Sequence, residues 1–421
     1  MAPFVEVMRK ADYNKVYDEK LNNRRERRER SARRDDPRQK AKRKLKFFER
    51  GMGIDLPFLL LVLVLLIIGM IMMFSASFPN AYYNKHDSYF FIKRQMIFAL
   101  IGLAAMIAIS FFNYNKLHKF AGPMMIIAWV LLGIVLIVPS ENGVHRWIGI
   151  SSFNIQPSEI AKFAVILFFA HWGSVYYDKM QYAKYSVAPG LGIFAFTAGL
   201  LFFEPHYSGI VIIAILTIIM LYEGGMKIKY LAMGAVALVI IVAVAAVTGL
   251  LTYAMQRMDG WGQALAYTSA DDPKMWNATW QTRNSLYAIG SGGLFGLGLG
   301  NSRQKYLYLP ESQNDFVFAI VCEEIGYIGA LIILLIFALL VWRGITLSLR
   351  AKDRFGKLLG IGLSAQIGIQ VVLNILVITD WLPNTGISLP FFSYGGSSLL
   401  TLMFEMGVIL SISRSSNIEK S

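Results

Sequence analysis

Residues 305–329, KYLYLPESQNDFVFAIVCEEIGYIG, pass from a polar loop into a hydrophobic run. Asp315 is the last polar residue before that run, and Glu323 and Glu324 lie inside it. An ionisable side chain at membrane depth is expensive, so each is a candidate for function. Three kinds of work are open to the Asp315 carboxylate. Partly desolvated, it can take a proton from a hydroxyl as general base. Together with phosphate oxygens it can hold a divalent cation such as Mg²⁺ or Mn²⁺. At the start of a helix near 316, Asp315 or Asn314 can simply cap free backbone N–H groups. Glu323 and Glu324 follow about 12–14 Å deeper at 1.5 Å per residue, and read as internal ion-pair or hydrogen-bond groups. Glu311, on the polar side, is close enough in sequence to support Asp315.

The cations come from other stretches. In NGVHRWIGISSFNIQPSEIAKF, Arg146 and Trp147 stand at a membrane boundary. Gln156, Pro157 and Ser158 read as a turn opening a helix, with Glu159 and Lys162 on one face at i, i+3. Two readings stay open for this stretch. One is an interfacial anchor followed by an internal ion pair; the other is a cationic site for a phosphorylated lipid headgroup. Arg283, Arg303 and Lys305 are further candidate cations, and an arginine fork suits a pyrophosphate better than a lysine. The run GSGGLFGLGLG from Gly290 lacks the strand and βαβ context of a nucleotide fingerprint. It is either plain tight packing or a turn whose amides face a phosphate. The stretch LPNTGISLPFFSYGGSS from Leu382 holds too many Pro and Gly for an ordinary straight helix. Broken backbone at membrane depth is tolerated where it is buried in protein or lines a cavity, which Ser393, Tyr394, Ser397 and Ser398 would line.

These residues need a membrane scaffold to hold them. Of 421 residues 55% are hydrophobic and 16% charged, which excludes an ordinary soluble domain. The apolar residues fall in blocks long enough to span, so the fold class is an all-α, polytopic integral membrane protein. Ten transmembrane helices are expected, over about 55–76, 90–112, 119–139, 159–175, 187–204, 208–223, 229–252, 316–342, 358–379 and 385–412. The loops NYNKLHK, YYDKMQYAK, EGGMKIK and RGITLSLRAKDRFGK each carry Lys or Arg. By the positive-inside rule they are cytoplasmic, as are both termini. One long extracytoplasmic loop, 252–314, is left outside, with no obvious secondary structure and therefore a functional reading.

Residues 1–53 hold 18 of the 41 Lys and Arg but only 9 of the 27 Asp and Glu. This basic cytoplasmic tail, poor in apolar residues, is expected to be disordered and to touch anionic membrane lipid rather than nucleic acid. Residues 54–413 form the membrane domain, and 414–421 a short cytoplasmic tail. The single cysteine, Cys322, excludes an internal disulfide framework. On residue chemistry alone three function classes compete. They are a membrane enzyme, a lipid flippase or ion-coupled transporter, and a non-catalytic scaffold.

Four segments in order, HRWIGISSFNIQPSEIAKF, EPHYSG, the run from AIGSGG to EEIGYIG, and PNTGISLPFFSYGGSS, resemble the SEDS family (shape, elongation, division and sporulation). The resemblance covers about 56–414 and is nearer the FtsW/SpoVE branch than RodA. It implies a ten-helix glycosyltransferase of the bacterial cytoplasmic membrane. Such an enzyme polymerises lipid II into peptidoglycan strands, with undecaprenyl pyrophosphate leaving and a class B penicillin-binding protein as transpeptidase partner. It implies Asp315 as the catalytic carboxylate, and Arg146 with Trp147 as substrate-binding residues. Gln156, Lys162, Arg283, Lys305, Glu311, Ser393 and Ser397 complete the expected substrate site, with a metal at Asp315 as the alternative role. The chain departs from the family pattern at His206, Leu297 and Leu307.

Overall fold

A computed structural model describes residues 53–138, 146–150, 153–234, 236, 258, 260–266 and 272–417. The chain enters the bundle at α1 (Leu56–Lys85), with Asp55 accepting from the Phe58 amide at its N-terminus. The Asp55 carboxylate also pairs with Arg343 at 2.6 Å, fixing the start of α1 against a later helix. Then come α2 (Phe90–Ser110), a 3-10 turn (Tyr114–Phe120), α3 (Ala121–Ile137) and a two-stranded hairpin, β1 (Ile148–Ile150) with β2 (Phe153–Ile155). Among the described residues the strands pair only with each other, Ile148 opposite Ile155, so this departure from an all-helical reading is confined to one small hairpin.

The second half of the bundle starts with α4 (Pro157–Val175), α5 (Ala183–Phe203) and α6 (Tyr207–Glu223). The expected loop 252–314 is not without regular structure. It carries α7 (Pro273–Ala278) and α8 (Trp280–Ser291). Asp272 caps α7 by accepting from the Lys274 and Met275 amides, with Pro273 at the first helical position. The chain closes with α9 (Val317–Leu349), α10 (Arg354–Ile378) and α11 (Gly396–Asn417). The last helix opens at Gly396, so 385–395 is irregular, as its prolines and glycines demand.

Among the described residues, seven helical segments are long and apolar enough to cross a membrane: α1, α2, the 3-10 turn with α3, α5, α9, α10 and α11. α4 carries Glu159 and Lys162 yet buries 13 of its 19 residues, so neighbouring helices rather than lipid surround it. It packs against α3, α6 and α10. α10 and α11 are two-thirds buried where α2 and α5 are about one-fifth buried, so the polar groups gather among the interior helices. The span expected over 229–252 lies outside the described residues beyond its first turns, and so does the basic tail over 1–52.

Candidate active site

α9 is broken at Gly326, whose φ of 71° and ψ of −177° are not helical. The Gly-rich run fills the break. The Leu297 and Gly298 amides donate to the Glu323 and Glu324 carbonyls at 2.9 and 3.0 Å. In return the Tyr327 and Ile328 amides donate to the Gly293 and Leu294 carbonyls at 2.9 and 3.2 Å. A Cβ on Gly296 would fall 2.2 Å from the Glu324 carbonyl oxygen, so only glycine allows this approach. Of the two readings left open by the sequence, the structure has the tight packing. The Leu297 and Gly298 amides are spent on the helix and do not face a phosphate site.

The carboxylates beside the break are committed as well. Glu324 accepts from Lys305 Nζ at 2.8 Å and from Ser75 Oγ on α1. Glu323 accepts from Ser302 Oγ and from the Arg303 amide at 3.0 Å. Lys305 is committed to this network: it is 3% exposed and its ammonium also donates to the Gly300 carbonyl. Removing one partner of a buried ion pair costs about 3–5 kcal/mol, because the other charge is left uncompensated. Lys305→Met is thus expected to lower the melting temperature clearly while leaving the Michaelis constant for substrate near wild type. Thermal unfolding beside a kinetic assay checks this; a raised Michaelis constant at unchanged stability would return Lys305 to the substrate site.

Ten residues after Lys305 stands Asp315. Helix α9 starts at Val317 with Phe316 at its N-cap, so Asp315 stands one residue ahead of the N-cap. The half-buried carboxylate lies on the wall of a cavity of about 960 Å³. Its Oδ2 rests against Gly386, where a Cβ would fall 2.8 Å away, and Gly386 itself has φ of +69°. The volume is at the upper end of the range for small-ligand pockets, roughly 300–1,000 Å³.

Arg146, Trp147, Gln156, Lys162 and Ser393 line the same cavity. Arg146 donates to the Pro205 carbonyl, and its charge acts on the buried Glu204 carboxylate, which makes no hydrogen bond among the described residues. Trp147 is 42% exposed at the mouth. Gln156 takes the N-cap position of α4 in extended conformation without a side-chain cap bond, and Pro157 follows at the first helical position. Lys162 pairs with Glu159 at 2.8 Å, both buried, so the internal ion pair and the cavity wall are one feature. Ser393 Oγ donates to the Asn314 carbonyl at 2.7 Å.

The other expected residues lie apart from the cavity wall. Ser397 Oγ accepts from the Gln156 amide at 3.3 Å, behind the lining that Ser398 forms. Glu311 is exposed and accepts from the Asn314 side chain at 2.5 Å. Arg283 is elsewhere: its guanidinium is 3.2 Å from the Trp276 ring centre and donates to Thr279 and to the Trp276 carbonyl. Burial pulls its pKa below the usual arginine range, opposed by Tyr287. Two tryptophans and a carbonyl hold it as a brace for α7 and α8, and it does not line the cavity.

Sequence reasoning passed over Arg94, Gln366 and Gln370, which also line the cavity. Arg94 stacks on Phe90 at 4.4 Å, keeping its charge beside α2. The signal was present: a cation at the end of a span that the charge pattern assigns outside runs against the positive-inside rule. The glutamines stand at i, i+4 within an apolar span, a spacing that puts both on one face. The cavity thus brings Arg94, Arg146 and Lys162 together with Asp315 and Glu159. Among the described residues no cluster of three or more acidic, His or Cys side chains could hold a metal. Asp315 with Mg²⁺ would need phosphate oxygens as its other ligands.

The sequence profile of the FtsW/RodA/SpoVE cell cycle proteins matches residues 56–418. The chain belongs to this family. It is similar to stage V sporulation protein E of Bacillus subtilis (strain 168), with 40% identity over 366 residues, 86% of this chain and 97% of that protein. It is 35% identical over 363 residues to a probable peptidoglycan glycosyltransferase FtsW of Trichlorobacter lovleyi, covering 85% and 93%. Its fold matches a solved chain of a peptidoglycan synthase complex that coordinates polymerization and crosslinking, with a TM-score of 0.69 at 23% identity, covering 87% and 99%. As an FtsW/SpoVE-like member with seven apolar spans among its described helices, it is a multi-pass protein of the bacterial cytoplasmic membrane.

Proposed function

We infer that this FtsW/SpoVE-like chain is a peptidoglycan glycosyltransferase that joins lipid II units into glycan strands, in line with its relatives named peptidoglycan glycosyltransferase. The observation that carries the mechanism is a carboxylate, Asp315, on one cavity wall with arginines from two other elements. In the proposed step Asp315 takes the proton from a sugar hydroxyl of the acceptor. The hydroxyl oxygen forms a bond to the anomeric carbon of the donor. The bond from that carbon to the pyrophosphate oxygen breaks, and its electron pair leaves with undecaprenyl pyrophosphate. Arg146 and Arg94 offset the charge on the leaving group, the part of the barrier that fixed charge lowers most. Lys162 serves through its pair with Glu159, and the irregular 386–395 segment closes the cavity on the side of Asp315.

The partner we propose is a class B penicillin-binding protein acting as transpeptidase; support comes from the fold match to a chain of a complex in which polymerization and crosslinking are coordinated. The basic tail would hold the chain to anionic lipid. The function is tested with purified protein in lipid II vesicles. Glycan strands are the expected product. Lipid II crossing the bilayer without strand formation would mean a flippase, and neither activity would mean a scaffold.

A further inference from the structure

Three successive carbonyls lead into α9 just ahead of its first turn, and each is held by a different donor. The Gln313 carbonyl accepts from the Tyr394 amide at 2.8 Å. The Asn314 carbonyl accepts from Ser393 Oγ at 2.7 Å, and the same hydroxyl accepts from the Leu389 amide at 2.7 Å. The Asp315 carbonyl accepts from Asn374 Nδ2 at 2.8 Å. Asn374 belongs to α10, is fully buried, and uses its second N–H on the Ile387 carbonyl at 2.6 Å. One side-chain amide therefore ties the backbone of Asp315 to the residue that follows Gly386. Gly386 is the residue against which the Asp315 carboxylate packs.

The chemistry of that amide fits the task. Both hydrogens of one planar NH₂ group point to two carbonyls from segments about 70 residues apart, so the distance between those segments is set by a rigid group. A hydroxyl offers a single hydrogen and cannot bridge two carbonyls this way. Asn374 does not line the cavity, and nothing in the proposed step passes through it. Its Oδ1 makes no hydrogen bond among the described residues, so the two donor contacts are what the side chain contributes.

We propose that Asn374 is a positioning residue for glycan polymerisation: it fixes the Asp315 carboxylate relative to Gly386 and the 386–394 segment. The proposal rests on the reading of Asp315 as the base. Misplacing a reacting group by about 1 Å can cost on the order of 10²-fold in rate. The loss belongs in kcat, because the cations proposed to meet the pyrophosphate, Arg94 and Arg146, stand on other elements.

The test uses full-length purified protein and lipid II polymerisation. Asn374→Leu keeps the size of the side chain and removes both donors; Asn374→Ala is the second variant should the first fold poorly. Leu363→Ala, a buried change on the same helix away from the cavity, is the control for lost stability. For either Asn374 variant we expect kcat to fall about tenfold to a hundredfold with KM within about twofold. Leu363→Ala should lower the melting temperature and leave kcat within about twofold. Wild-type kcat in a folded Asn374 variant overturns the proposal. So does an equal kcat loss in Leu363→Ala, since general destabilisation would then explain both. Asp315→Asn in the same assay separates the two readings. If it keeps activity while Asn374 variants lose it, the reading of Asp315 fails and the positioning role falls with it. If Asp315→Asn is inactive and Asn374 variants are not, only the positioning role falls.

Discussion

Gly386→Ala is expected to remove about 99% of glycan polymerisation while the protein stays folded in the membrane. The reason is local. A methyl group there would sit 2.8 Å from Asp315 Oδ2, closer than carbon and oxygen tolerate, so the carboxylate or the loop must shift. The loop is not free to do so alone. Its Ile387 carbonyl is held by Asn374, and its Leu389 amide by Ser393. The carboxylate is therefore displaced, and a displacement of about 1 Å is enough for a loss on the order of 10²-fold. The φ of +69° adds strain of about 1–2 kcal/mol for any residue with a Cβ, a loss the bundle can absorb. Initial rates of lipid II polymerisation beside a thermal melt check the prediction. Near wild-type rate in Gly386→Ala would mean that the close approach of Asp315 to this backbone has no bearing on the reaction.

The spans are the most legible part of the sequence, because a helix facing lipid has to be apolar along its length. α1, α2 and α9 begin at 56, 90 and 317, against expected starts of 55, 90 and 316. The helices within 252–314 escape a reading of the sequence for the converse reason. α7 has six residues and α8 a polar composition, so neither produces a hydropathy signal. Segment 305–329 is readable as a place where charge is concentrated, and Glu323 and Glu324 as internal groups. What local pattern does not contain is a partner distant in sequence. Lys305 pairs with Glu324, 19 residues on, and with Ser75, 230 residues away. The Gly-rich run has no meaning by itself until α9 breaks at Gly326 and needs backbone donors and acceptors. Arg283 carries the right charge for a phosphate, but Trp276 and Trp280 claim it through ring faces that spacing alone does not predict.

Family motifs supply what spacing does not. Residue chemistry leaves Asp315 divided among base, metal ligand and helix cap. The segments shared with FtsW, RodA and SpoVE select a glycosyltransferase. The fold adds that Asp315 stands on the wall of a cavity that Arg94, Arg146 and Lys162 also line.

The most direct test of this account is the rate of lipid II polymerisation by purified Asp315→Asn protein. Asparagine keeps the size of the side chain and its ability to accept hydrogen bonds, and it removes the basic carboxylate. General-base assistance is worth ~10²–10⁴-fold, so the account predicts a folded protein with wild-type melting behaviour and a rate lower by at least roughly two orders of magnitude. A helix-capping role would give the opposite result, since Asn and Asp cap nearly equally well. A folded Asp315→Asn protein that polymerises lipid II near the wild-type rate would contradict the account, because the proposed base would then be dispensable.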